Sequence, residues 1–144
     1  MTDELYHATI LDRARSGERA GRLERPDASA TIDNPLCGDR VTIDLKLDGG
    51  RVSDIAQYVR GCALCRAAAA TIARHAIGET ADSLAETAEA LRGILKGDAP
   101  APSGAWSELS MFAPARAYKS RHDCVLLPFE AIARAFASAR DRSP

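Results

Sequence analysis

The sequence has no long apolar run, no excess of charge of one sign and no internal repeat. The lowest-polarity stretch, around Ala67–Ala70, is far too short to span a bilayer, which needs roughly 20 apolar residues. No membrane span is therefore expected. Nineteen Lys and Arg stand against 20 Asp and Glu, for a formal net charge of −1. That excludes the basic footprint with which proteins hold nucleic acid. The basic residues of the first quarter (Arg13, Arg15, Arg19, Arg22, Arg25) alternate with Asp12, Glu18, Glu24 and Asp27, and read as a solvated face. The opening stretch MTDELYHATILDRARSG carries acids at positions 3 and 4 and lacks the basic flank and apolar centre of a secretory leader. The expected location is cytoplasmic, where thiols stay reduced.

What is present is an ordinary globular composition, 46% apolar and 27% charged over 144 residues. That length can bury a core without staples, and one domain over 1–144 is expected, with a fraying tail after about residue 140. Four cysteines in a reducing compartment point to metal or catalytic chemistry before disulfides.

Apolar spacing predicts a first helix over 3–15, from Tyr6, Ile10, Leu11 and Ala14. Residues 16–36 read mostly as loop, with a short strand near Ala28–Ile32. The clearest strand is Val41–Leu47, where Val41, Ile43, Leu45 and Leu47 alternate with Thr42, Asp44 and Lys46, so one face should be wet. Asp48-Gly49-Gly50 supplies a tight hairpin, and a return strand follows over about 51–59, irregular near Asp54. Alanine-rich sequence predicts a helix from Cys62 or Ala63 that stops at Gly78. Thr80 then caps a helix striped by Leu84, Ala88, Leu91 and Leu95 and ended by Gly97. After a proline-bearing loop come a short helix over Trp106–Phe112 and a last helix from near Cys124 or Pro128 to Ala139. Strands followed by helices indicate an α+β fold: a small antiparallel three-stranded sheet with helices on one face.

Cys37, Cys62 and Cys124 sit at the ends of these elements, and such ends can converge at one tip of a molecule. Asp39 stands two residues from Cys37, and Gly38 between them permits the backbone angle that aims thiolate and carboxylate at one ion. Three thiolates and a carboxylate make a four-ligand set suited to tetrahedral zinc or to iron in a cluster. Cys62, at a helix start, should have its thiol pKa lowered by the helix dipole. Two other readings stand beside this one. Free cysteines often serve as small buried apolar fillers. The Cys62-x-x-Cys65 pair also has the spacing of a thioredoxin-like redox motif, although no βαβ pattern surrounds it.

The run Asn34-Pro35-Leu36-Cys37-Gly38-Asp39, then Gly61-Cys62-Ala63-Leu64, then Arg121-x-x-Cys124, resembles the U-type iron–sulfur scaffold family, IscU and SufU. So do Glu4-Leu5-Tyr6, Ile10-Leu11-Asp12 and the stretch from Asp48 to Ile55. The resemblance spans about residues 4 to 138. The SufU branch is the nearer one. The His-Cys pair and Leu-Pro-Pro-Val-Lys stretch of IscU-like members are missing, and Gly97–Ala117 looks like a SufU insertion. His122 does not match the IscU histidine ligand and reads as a solvated or supporting residue. The resemblance implies zinc ligands at Cys37, Asp39, Cys62 and Cys124. It implies that Cys124 accepts persulfide sulfur from a pyridoxal-phosphate cysteine desulfurase of SufS type, with Arg121 assisting ligand exchange at Asp39. A downstream scaffold or an apo-protein would then receive the product. The alternatives are a scaffold that builds and transfers a [2Fe–2S] cluster on the same residues, and a small domain with purely structural zinc. Cys65, Ala67–Ala70 and Arg13 depart from the family pattern, where serines and a histidine are usual.

Overall fold

In the computed structural model, residues 8–35, 38–97 and 99–142 are described. The order is α1 (Ala8–Ser16), β1 (Ala28–Asn34), β2 (Asp39–Asp48), β3 (Arg51–Arg60), α2 (Ala63–His75), α3 (Ala81–Lys96), a 3₁₀ helix (Gly104–Ala117) and α4 (Lys119–Arg142). The three strands form one antiparallel sheet in the order β1-β2-β3. The expected α+β class, with three strands and helices packed against them, is the one observed.

The sheet follows the alternation read from β2. Val41, Ile43 and Leu45 are fully buried and meet Leu64, Ile72, Leu109, Phe112, Val125 and Ile132 in one apolar cluster. Each fully buried side chain of this size contributes roughly 1.5–3 kcal/mol. Gly49 and Gly50 turn the β2–β3 hairpin with positive φ, 60° and 82°. The pairing slips between Lys46 and Leu47, so that Ser53 has no partner across the strand. This is the irregularity expected near Asp54.

The second sheet face is not wet in its middle. Asp44 is fully buried and Thr42 nearly so. The loop after α1 folds over them: Arg22 holds Asp44 through Nε at 2.7 Å, Ser29 donates to it at 2.5 Å and the Leu23 amide at 3.0 Å. Burial pushes the Asp44 carboxyl up, but the bonds from Arg22, Ser29 and Leu23 outweigh it and hold it below the usual carboxylate range. Gln57 is tied to the same loop, its side-chain amide donating to the Glu18 carbonyl at 2.9 Å.

The solvated-face reading of the early arginines also fails at Arg13, which is buried. It donates to Thr71 Oγ1 at 3.0 Å and pairs with Glu108, which in turn bonds His75. This cluster joins α1, α2 and the 3₁₀ helix. Helical periodicity places Arg13 on α1, but nothing local says which face will meet α2.

The helix ends obey their caps. Thr80 accepts from the Ser83 amide and Ser83 returns a bond to the Thr80 amide, a reciprocal cap on α3. Gly97 closes α3 at φ 87°. Arg116 Nε reaches back to the Ile94 carbonyl at 2.9 Å and ties the 3₁₀ helix to that end. The expected short helix at 106–112 is the centre of this longer 3₁₀ element. The last helix starts earlier than expected, at Lys119, and continues to Arg142. Pro128 lies inside α4, and having no N–H it cannot donate to the Cys124 carbonyl. Among the described residues no helix is long and apolar enough to cross a membrane.

Candidate metal centre

Asp39, Cys62 and Cys124 come together at one tip, each offering a ligand atom within 4.8 Å of the others. Cys37, the fourth expected ligand, lies outside the described residues. Asp39 opens β2 directly after Gly38, whose φ of 76° is the left-handed conformation that favours glycine. Cys62 is the N-cap of α2, extended at φ −73° and ψ 168°. Cys124 is inside α4, in its second turn, and not ahead of the helix as expected. It still reaches the tip because α4 begins one turn earlier and packs across β1 and β2.

Asp39 is buried, and its two oxygens are both engaged by Cys62. Oδ1 accepts the Cys62 backbone amide at 3.0 Å, and Oδ2 accepts the thiol at 3.4 Å. The amide bond fastens the carboxylate to the first turn of α2. The contact is possible because residue 61 is glycine. A Cβ there would stand 2.5 Å from Asp39 Oδ1 and 2.7 Å from its carboxyl carbon. In the sequence Gly61 belongs to the run Gly61-Cys62-Ala63-Leu64, and its place directly before Cys62 is the local sign of this packing role.

The Cys62 thiol departs from the expectation of a helix-lowered pKa. Burial pushes it up, and the neighbouring Asp39 carboxylate pushes the same way. The pull of the Cys65 amide and of Cys124 does not overcome them. The protein without metal therefore favours a protonated thiol bonded to Asp39. A cation among these groups reverses that preference, because metal binding removes the thiol proton.

Of the other residues singled out in the sequence, Arg121 stands one helical turn before Cys124 on α4, half-buried, its amide bonded to the Tyr118 carbonyl at 2.8 Å. His122 is half-buried and directed away from the cluster, since Nε2 bonds the Ala115 and Arg116 carbonyls at 3.0 and 3.1 Å. Cys65 is fully buried in the apolar core. It is not a member of the Asp39–Cys62–Cys124 group.

Two or three thiolates beside a carboxylate are chemically suited to zinc or to iron in a cluster. These features define an α+β protein with a thiolate–carboxylate pocket at the end of a three-stranded sheet. The chain belongs to the NifU-like N terminal domain family, which matches residues 5–125. A crystal structure of a nitrogen-fixing NifU-like protein (N-terminal) from Brucella abortus superposes with a TM-score of 0.91, at 40% identity over 98% of each chain. An iron–sulfur cluster assembly scaffold protein IscU from Archaeoglobus fulgidus is 31% identical over 64% of this chain. The chain spans 63% of that archaeal relative's length. The zinc-dependent sulfurtransferase SufU of Bacillus subtilis is 23% identical over 94% of this chain and 91% of its own.

Proposed function

We propose that this chain is an iron–sulfur cluster assembly protein of the IscU/SufU type, acting at the tip as a zinc-dependent acceptor of sulfur from a cysteine desulfurase. The observation that carries the reading is the convergence of Asp39, Cys62 and Cys124 from three separate elements. Relatives named as a cluster assembly scaffold and as a zinc-dependent sulfurtransferase support it.

Zinc would be held by Asp39, Cys62, Cys124 and Cys37, and bound there it keeps the thiols deprotonated. Cys124 is the sulfur acceptor. Its thiolate attacks the outer sulfur of the desulfurase persulfide. The S–S bond to the desulfurase cysteine breaks, that cysteine leaves as thiolate, and Cys124 keeps the persulfide, with no net oxidation. Asp39 is the weaker ligand of the set. Arg121, one turn from Cys124, suits the displaced carboxylate because a guanidinium matches it in two-point geometry. Cys124 is fully buried, which shields a persulfide from water until the partner opens the tip.

A second reading is that the same residues hold a [2Fe–2S] cluster as cargo, and the scaffold name of the archaeal relative favours it. One pair of assays separates the two. With the partner desulfurase, zinc-loaded protein should raise cysteine turnover, and Cys124→Ala should abolish the gain. With iron and cysteine under anaerobic conditions, a stable brown cluster on the chain would favour the scaffold. A mutant that stimulates as well as wild type overturns the sulfur-acceptor role.

A further inference from the structure

The tip carries more positive charge than its own acids balance. Arg40 follows Asp39 directly, and Arg60 lies opposite it across the β2–β3 pair. Like charges placed directly opposite in a sheet destabilise it. Arg40 is relieved by Asp33, at 2.6 Å. Among the described residues neither Arg60 nor Arg66 makes a side-chain ion pair, and both are exposed. Arg66 stands one turn along α2 from Cys62, its amide bonded to the Cys62 carbonyl at 3.0 Å. Lys119, exposed, opens α4 ahead of Cys124. Asp123, exposed, precedes Cys124 in α4.

An aromatic residue lies in the same patch. Tyr58, two residues before Arg60 and on the same side of β3, is 50% exposed. With Val59, Arg66, Gln57, Ala14 and Gly17 it lines a notch of about 170 Å³ between the edge of β3, the end of α1 and the start of α2. Exposed tyrosine flanked by arginines over a notch has the composition of an interface anchor, since Tyr and Arg are over-represented among residues that dominate binding energy.

We propose that the face formed by Tyr58, Arg60 and Arg66 docks a partner protein through an acidic, carboxylate-bearing surface. This rests on the function proposed above, under which the partner is the cysteine desulfurase. Arg60, which faces Arg40 across the strands without an ion pair of its own, gains its counter-charge from the partner's carboxylates. The notch at Tyr58 receives an apolar side chain and sets the angle at which the partner's persulfide meets Cys124.

The test is binding of full-length, zinc-loaded chain to the desulfurase of the same organism, followed by biolayer interferometry, with zinc content measured on every sample. Raising salt from about 0.05 M to about 0.5 M should weaken wild-type binding about tenfold or more, chiefly through slower association. Arg60→Glu with Arg66→Glu should weaken it at least tenfold at low salt with zinc content unchanged, and Arg60→Lys should keep most of it. Tyr58→Ala should cost about tenfold and leave the salt dependence intact. Binding indifferent to salt and to charge reversal overturns the docking face while leaving the function standing. Zinc loss in the charge-reversed protein overturns it too, because the arginines would then serve the ion. Wild type that binds no desulfurase overturns both readings.

Discussion

Asp39 and Gly61 are in contact only because residue 61 has no side chain: a Cβ there would stand 2.5 Å from Asp39 Oδ1. The carboxylate fills that space and accepts the Cys62 amide at 3.0 Å. Gly61→Ala should therefore displace Asp39 without unfolding the sheet. Zinc affinity is expected to fall about 10- to 100-fold, the range found when a partner that orients a ligand is lost. Competition with a colorimetric chelator reads the affinity, and circular dichroism checks the fold. Unchanged affinity would remove Asp39 from the ligand set.

Asp39→Ala and Cys124→Ala each delete one group of the converging trio. Both should lower zinc per chain, measured by plasma mass spectrometry on protein purified without chelator. Cys124→Ala should in addition lose all sulfur uptake from a persulfide donor. If Asp39→Ala keeps full zinc and full activity, the metal is structural and held by thiolates alone.

Cys65 is fully buried among apolar side chains. Cys65→Ala keeps the backbone amide that faces Cys62, so metal content and sulfur uptake should not change. Stability should drop by about 1 kcal/mol, the ordinary cost of a small core truncation. Lost sulfur uptake with intact zinc would revive a Cys62–Cys65 redox pair.

Glu108 joins Arg13 of α1 to His75 of α2. Burial pushes its carboxyl up, but hydrogen bonds from Arg13 and His75, with their charges, outweigh that and hold it below the usual glutamate value. A carboxyl lowered in the folded state stabilises above the unfolded value of about 4.3 and loses that contribution as pH falls through the folded value. Glu108→Gln should cost about 2 kcal/mol at neutral pH, because Arg13 is left buried without its counter-charge. The gap in Tm between wild type and variant should shrink as pH is lowered from about 5 toward 3. A gap independent of pH would mean that the carboxyl binds its proton equally well in the folded and unfolded protein.

Much of the fold was legible locally. The alternation in Val41–Leu47, the Asp48-Gly49-Gly50 turn, the Thr80 cap and the Gly97 stop are signals carried by a few adjacent residues, and each element formed where those signals placed it. The long 3₁₀ helix was read only in part, because its apolar residues Trp106, Leu109, Phe112 and Ala115 follow a spacing that tertiary packing selects. Arg13 was misread for a related reason: its acid, Glu108, lies far along the chain, so local alternation with acids said nothing about its burial, whereas Arg22 reaches the buried Asp44 from an exposed position.

The sequence by itself determined the α+β class, the candidate ligands and their chemistry, because strand alternation, caps and thiol–carboxylate composition are properties of residue type and spacing. Only the tertiary structure decided which of those groups meet. It brought Asp39, Cys62 and Cys124 within 4.8 Å, left Cys65 in the core and turned His122 toward backbone carbonyls. It also reversed the expected pKa direction at Cys62, since burial and the approach of Asp39 outweigh the helix terminus. The physical reason is common to all of these. Convergence, desolvation and charge pairing depend on distances between residues remote in the chain, and those distances exist only once the helices have packed on the sheet.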